Sequence, residues 1–383
     1  MVFGCLILLI LFILTCFKPK SKIVFISSLV FMWLLYAFST KTGDQAVYQN
    51  VYENMFSMKY FTEFEPGFTL LIIACRSINL PFMAFRAICG ALFIILLGFA
   101  INKYTKCTAL AAFLFLLFPF TYFMSVMRAG IACLIIVLFV DFLIKRNKHW
   151  AIFYILGVIL ATLFHYSSIF FFLFVFAAKK DRGMKSFMFV TFLCTIVVFF
   201  LYNLGILYNF FSIFISRGKF LDWINPNAVD EASRSNLTGI VCSVGIVVMN
   251  IVLGWFANKK AKEAQRALNH EENYIVRMSS FVKYGNILLL LTVPFLLINN
   301  VFIRFSYEMV LINILNGVNV AHYYSNARKE TGHSSGTSIL INSIPLLIVA
   351  VVLLVYCDLP YMNQDFSAFR VFQNNAIFGF LGW

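Results

Sequence analysis

Apolar runs close to the length of a membrane-crossing helix follow one another along almost the whole of this 383-residue chain. They fall at roughly 2–17, 23–39, 82–101, 108–121, 124–144, 151–166, 168–178 with its flanks, 187–203, 238–256, 285–300, 302–323 and 339–357. An α-helix needs about 20 residues to cross the hydrocarbon, with about 17 to 25 as the working range. The pattern therefore predicts an all-α, polytopic integral membrane protein with roughly 12–14 transmembrane helices. No soluble core could hide this much apolar surface: 62% of the residues are hydrophobic and only 12% are charged, against about 25% charged in soluble domains. A cytosolic enzyme, a disordered chain and a nucleic-acid-binding domain are excluded on these grounds. Most of the nine cysteines lie inside apolar runs, where Cys behaves as a small hydrophobe, and no CxxC spacing suggests zinc or a disulfide framework. The run 2–17 lacks a preceding basic region and a small-residue cleavage site, so it reads as a retained helix. No internal repeat is visible, and residues 1–383 read as a single polytopic domain.

The formal charge of +14 is unevenly spread. Linkers around Lys18–Lys22, Lys103–Lys106, Lys145–Lys148, Lys179–Lys185, 257–284 and Arg328–Lys329 hold 20 of the 30 Lys/Arg and five acids, a balance of +15. The segments 40–65, 204–237 and 358–383 balance to −3. Lys and Arg are retained in cytoplasmic loops, so 257–284 is expected as a cytoplasmic basic helix or linker. By the same rule 40–65 is an outer loop, 204–237 a large outer loop and 358–383 an outer C-terminal tail. Parity then allows 66–101 an odd number of crossings, although it looks like two helices broken at Asn79-Leu80-Pro81. The stretch 67–80 is the weaker and is expected as a re-entrant or outer-leaflet helix.

A charge at the centre of a membrane helix costs about 2.5 to 3.5 kcal/mol on insertion scales, so retained ones are candidates for function. Arg76, Arg86, Arg128, Arg304, Glu308 and His165 lie in apolar surroundings near helix ends that the charge pattern puts outside. Arg128, His165 and Arg304 form one layer with Asp44, Glu53, Glu63 and Glu65 of the first outer loop, suited to an anionic substrate. Arginine fits phosphate because its planar fork donates two parallel hydrogen bonds. Bland readings stand beside this one. An Arg near a helix end can snorkel to headgroups, Arg304 and Glu308 at i,i+4 can form an ion pair, and His165 can be a packing residue. Aromatics of the outer loops, such as Tyr48, Tyr52, Phe56, Tyr60, Phe61, Tyr208 and Trp223, can stack on sugars or belong to an interfacial belt. No acidic pair has metal spacing, so no essential metal is expected.

Several of these residues sit in short motifs: Gly43-Asp44-Gln45-Ala46-Val47-Tyr48, Glu65-Pro66-Gly67-Phe68, Met127-Arg128-Ala129-Gly130-Ile131-Ala132, Phe164-His165-Tyr166-Ser167-Ser168 and Arg304-Phe305-Ser306-Tyr307. Their order over roughly residues 36–310 resembles EpsG-like proteins, Wzy-type polymerases of bacterial exopolysaccharide and capsule. The resemblance implies a GT-C-like glycosyltransferase that uses no nucleotide sugar and no cofactor. It would join undecaprenyl-diphosphate-linked oligosaccharide repeat units on the outer face of the bacterial cytoplasmic membrane. Arg128 and Arg304 would then take the diphosphate. His165, followed by Asp44 and Glu65, would be the candidate bases, and Tyr48, Tyr307 and Arg76 would be candidate sugar contacts. Membrane lipids, a flippase and a chain-length regulator are the partners implied, and no nucleic acid is. The competing classes are a lipid-linked oligosaccharide flippase or other transporter, and a membrane acyltransferase acting on the glycan.

Overall fold

The computed structural model describes residues 2–57, 64–178, 184–214, 237–268, 273–296, 300–332, 339–358, 371–372 and 374–377. The chain is an all-α, multi-pass membrane protein; among the described residues the one departure from helix and turn pairing is an isolated bridge between Ser39 and Asn375. The helices are α1 Val2–Phe17, α2 Lys22–Phe38, α3 Gln45–Glu53, α4 Pro66–Ser77, α5 Phe82–Tyr104, α6 Thr108–Leu117, α7 Phe120–Ser125, α8 Met127–Lys145 and α9 Trp150–Thr162. After a 3-10 helix at Tyr166–Leu173 come α10 Met184–Asn203, α11 Ile206–Phe214, α12 Leu237–Ala267, α13 Tyr274–Leu288, α14 Arg304–Glu330 and α15 Ile339–Asp358.

Four stretches are long and apolar enough to cross a membrane: Phe82–Tyr104, Met127–Lys145, Ile240–Ala267 and Tyr274–Leu296. Elsewhere the apolar stretches of the helices are shorter, at 10–17 residues, and several expected spans are interrupted. The run 108–121 stops at Leu117 and resumes at Phe120, since Pro119 has no N–H to continue the ladder. The span placed at 285–300 starts earlier, at Tyr274, where the Asn273 side chain accepts from the Val276 N–H at 3.1 Å and caps the helix. Residues 257–267 are not a separate surface helix. They continue α12, whose 31 residues span about 46 Å and so outrun a hydrocarbon layer of about 30 Å. Helix α4 has 12 residues, about 18 Å, which is too short to cross. Residues 215–236, within the segment expected as a large outer loop, lie outside the described residues, as do Tyr60, Phe61 and Glu63.

Lipid gives no hydrophobic drive for helices to associate, so polar contacts and close packing carry that role. Three asparagines do so at the junction of α12, α13 and α14. Asn286 donates to Asn313 Oδ1 at 2.8 Å and to the Asn250 carbonyl at 2.7 Å, and Asn313 donates to Asn250 Oδ1 at 2.7 Å. At the basic end of the bundle, Asp141 on α8 pairs with Lys145 at 2.7 Å and Lys103 at 3.4 Å and accepts from Tyr274 at 2.9 Å.

A further polar junction supports the 40–45 turn. Arg86 on α5 is 1% exposed. It donates to the Tyr36 carbonyl at 2.7 Å and to the Gln45 side chain, and no carboxylate lies within ion-pair distance of it among the described residues. Gln45 in turn donates to the Thr40 carbonyl at 3.1 Å, which closes the 40–45 turn. Part of the C-terminal tail also docks here: Thr40 donates to the Asn374 carbonyl at 2.8 Å, Asn375 donates to the Leu35 carbonyl at 3.2 Å, and Phe372 stacks near Phe31. The rest of 358–383, expected as an outer tail, lies outside the described residues apart from Asp358, which ends α15. Arg86→Leu is expected to cost about 2 to 4 kcal/mol, because two charge-assisted hydrogen bonds go and their buried partners stay. Thermal unfolding of the purified variant in detergent measures this, and an unchanged melting temperature would show that the junction is not structural.

Candidate functional site

The site is assembled by a close helix contact that the Glu65-Pro66-Gly67 motif makes possible. Pro66 occupies the first turn of α4, where its missing N–H has no cost. Gly67 then donates its N–H to the Leu163 carbonyl at the end of α9, at 2.8 Å. A Cβ at Gly67 would stand 2.8 Å from that oxygen, so a side chain there would push α4 and α9 apart. The contact brings Glu65, just ahead of α4, against His165, just after α9.

Glu65 is 3% exposed and saturated with donors. Its Oε1 lies 3.2 Å from His165 Nδ1 and accepts from the Tyr166 N–H at 3.0 Å, while its Oε2 accepts from Arg128 Nη1. Burial raises the Glu65 carboxyl, but the His165 hydrogen bond and the Arg128 charge outweigh it and hold the group at about 2. The carboxylate is thus an anion at neutral pH. For His165 burial prevails over the pull of Glu65, and the ring is pushed below its ordinary value. A neutral ring with Nδ1–H given to Glu65 keeps Nε2 as a proton acceptor.

Arg128 lies in the first turn of α8, where the helix dipole disfavours a cation. The Glu65 anion offsets that, and the guanidinium also lies 4.2 Å from the Phe64 ring centroid and 5.7 Å from that of Tyr48, whose hydroxyl is 3.5 Å from Nε. Arg304 opens α14 in the same unfavourable place, half-buried, yet no ion pair joins it to Glu308 or to any other acid among the described residues. The structural ion pair considered for Arg304 and Glu308 is therefore absent; Glu308 is 3% exposed in α14. The charge of Arg304 reaches His165 and also Tyr122 on α7, which in turn feels Asp44. Asp44 stands at the start of α3, where its carbonyl accepts from the Tyr48 N–H at 3.1 Å and its side chain makes no capping hydrogen bond. Tyr307 packs against Tyr122 and Phe118, with centroids 4.9 and 5.3 Å apart.

The structure thus gathers Glu65, Arg128, His165 and Tyr48 in direct contact and packs Tyr307 against Tyr122, with Asp44 and Arg304 within electrostatic reach of Tyr122. Arg76 is not part of the cluster. It sits at the far end of α4 from Glu65, about 16 Å along the helix, where it contacts Tyr52, Phe56 and the Glu53 carbonyl. Sequence reasoning did not find Phe64, Tyr122 or the Tyr166 N–H. A backbone donor leaves no residue signature, and Phe64 and Tyr122 are two aromatics among many. Among the described residues no three His, Cys, Asp or Glu side chains gather as a metal site.

Chemically, the cluster joins a neutral imidazole, oriented by a carboxylate, to two guanidinium groups at helix N-termini, which is an arrangement able to take a proton and to receive an anion. No curated protein and no solved structure matches the chain. The EpsG family matches residues 22–331, a stretch that contains every residue of this cluster, and the chain belongs to that family.

Proposed function

We propose that this protein is a polysaccharide polymerase that joins lipid-diphosphate-linked oligosaccharide repeat units on the outer face of the bacterial cytoplasmic membrane. The observation that carries the reading is Arg304: a guanidinium at a helix N-terminus, with no acid paired to it among the described residues, whose charge reaches a histidine oriented by Glu65. A cation placed against a helix dipole is stabilised by an anion arriving from outside the chain.

In the proposed reaction His165 Nε2 takes the proton of an acceptor sugar hydroxyl. The hydroxyl oxygen forms a bond to the anomeric carbon of the growing chain as the bond from that carbon to the lipid diphosphate breaks. The electron pair leaves on the diphosphate oxygen, where Arg304, with Arg128 behind it, stabilises the developing charge. In this reading Asp44 holds the acceptor sugar, and Tyr48 and Tyr307 line its path. Purified protein supplied only with undecaprenyl-diphosphate-linked repeat units tests this: a ladder of longer glycans is expected. Movement of units across a vesicle membrane without elongation would make it a flippase, and a requirement for an acyl donor would make it an acyltransferase.

The outward placement is tested separately. Single cysteines in 257–267 should react with an impermeant thiol reagent only after cells are opened, and those in 206–214 should react in intact cells. Labelling of the basic segment from outside would invert the topology and move the site to the cytoplasmic face.

A further inference from the structure

At the opposite, basic end of the bundle, side chains from three separate elements converge on His322 of α14. Lys20 of the α1–α2 linker places Nζ 2.7 Å from His322 Nε2. An ammonium can only donate, so that ring nitrogen is the acceptor. The charges of Lys106, from the α5–α6 linker, and Lys329, near the end of α14, also act on the ring, and Asn326 approaches it at 3.3 Å. None of the three lysines has an acid within ion-pair distance among the described residues. Like charges gathered near one ring favour the arrival of an anion.

Next to this cluster lies an open crevice between α1, α6 and α15. It has a cavity volume of about 140 Å³, with Phe12, Thr15, Cys16, Leu110, Ile341 and Leu347 on its walls. Phe12 and Ile341 are exposed on its rim, so it opens toward the hydrocarbon. The two features share a seam: the Leu110 N–H donates to the Pro19 carbonyl at 3.2 Å, one residue from Lys20, and the Lys20 charge reaches Cys107. A positive cluster at the end of an apolar groove matches one kind of molecule, an amphiphile with an anionic head and a hydrocarbon tail.

We propose that the Lys20–Lys106–His322–Lys329 cluster and the α1–α6–α15 crevice together bind one anionic phospholipid, the head phosphate among the lysines and one acyl chain in the crevice. Lysines that merely anchor helix ends would hold no particular lipid. The site is independent of the polymerase reading, because it lies at the other end of the bundle and needs only the membrane.

Native mass spectrometry on protein from nanodiscs containing equal phosphatidylglycerol and phosphatidylcholine of the same chains tests the proposal. One phosphatidylglycerol per protein is expected to survive activation that strips phosphatidylcholine. The Lys20→Gln/Lys106→Gln/Lys329→Gln variant should weaken retention by about a hundredfold, since each lysine near a surface phosphate contributes about a factor of five. Cys16→Trp, which fills the crevice and leaves the lysines, should weaken it as well, and glycerophosphoglycerol without tails should not compete. Equal retention of the two lipids, or unchanged retention in the triple variant, would overturn the site. Displacement by the tail-free headgroup or retention in Cys16→Trp would reduce it to a bare anion site and overturn the amphiphile.

Discussion

His165→Ala is expected to lower polymer formation by about 10²- to 10⁴-fold, the usual worth of a positioned general base, while the protein still inserts and purifies as a single species. Nδ1 of the ring is engaged by Glu65, which leaves the other nitrogen for substrate in the proposed reaction. Because the neutral ring is the active form, activity should hold as pH falls through the ordinary histidine value of about 6.5 and decline only below it. Burial favours the uncharged ring, and the opposing pull of Glu65 does not fully restore the usual value. Ladder formation from lipid-linked repeat units across a pH series reads both effects. Near wild-type chain lengths from monodisperse His165→Ala would return His165 to a packing role and shift the search for a base to Asp44.

The two arginines should separate under substitution, which the sequence alone did not foresee. Arg304→Lys is expected to fold normally, since no ion pair is lost among the described residues, yet to lose at least about tenfold in polymerisation. An ammonium keeps the charge but not the planar two-point match to phosphate oxygens. Arg128→Leu should instead fail at folding, because it strands the Glu65 anion in a buried site at a cost of about 3 to 5 kcal/mol. Arg128→Lys preserves a cation for Glu65 and is the fair test of its chemistry. If Lys serves as well as Arg at both positions, as headgroup anchoring requires, the diphosphate assignment fails. Binding of undecaprenyl diphosphate to each purified variant, measured beside activity, separates lost affinity from lost folding.

How much of this was legible beforehand depended on the physics each residue obeys. Membrane insertion acts on windows of about 20 residues, so the all-helical, multi-pass class followed from composition along the chain. Helix interruption is a local matter: Pro119 marked one break, but the ends of α9 and α13 are set by packing. The cost of an intramembrane charge pointed to Arg128, Arg304 and His165 individually. Their mutual contacts depend on Gly67 approaching Leu163, a fit between backbones 96 positions apart that leaves only a glycine as its trace. The same limit explains Arg76. It satisfied the same apolar-surroundings criterion, and nothing short of the length of α4 separates it from Glu65.

The Arg128–Glu65 pair has a consequence for selectivity. A protein of this kind is bathed in phospholipids, whose headgroup phosphodiesters carry a single negative charge and greatly outnumber any glycan donor. An arginine already neutralised by a buried carboxylate gains nothing by turning to such a headgroup, because it would exchange one monoanion for another and leave Glu65 without its cation. A diphosphate ester carries more charge over two adjacent groups and can engage the guanidinium while Arg304 shares the load. In the proposed reaction the carboxylate would therefore act as a resident competitor, setting a threshold of charge density that bulk lipid does not reach.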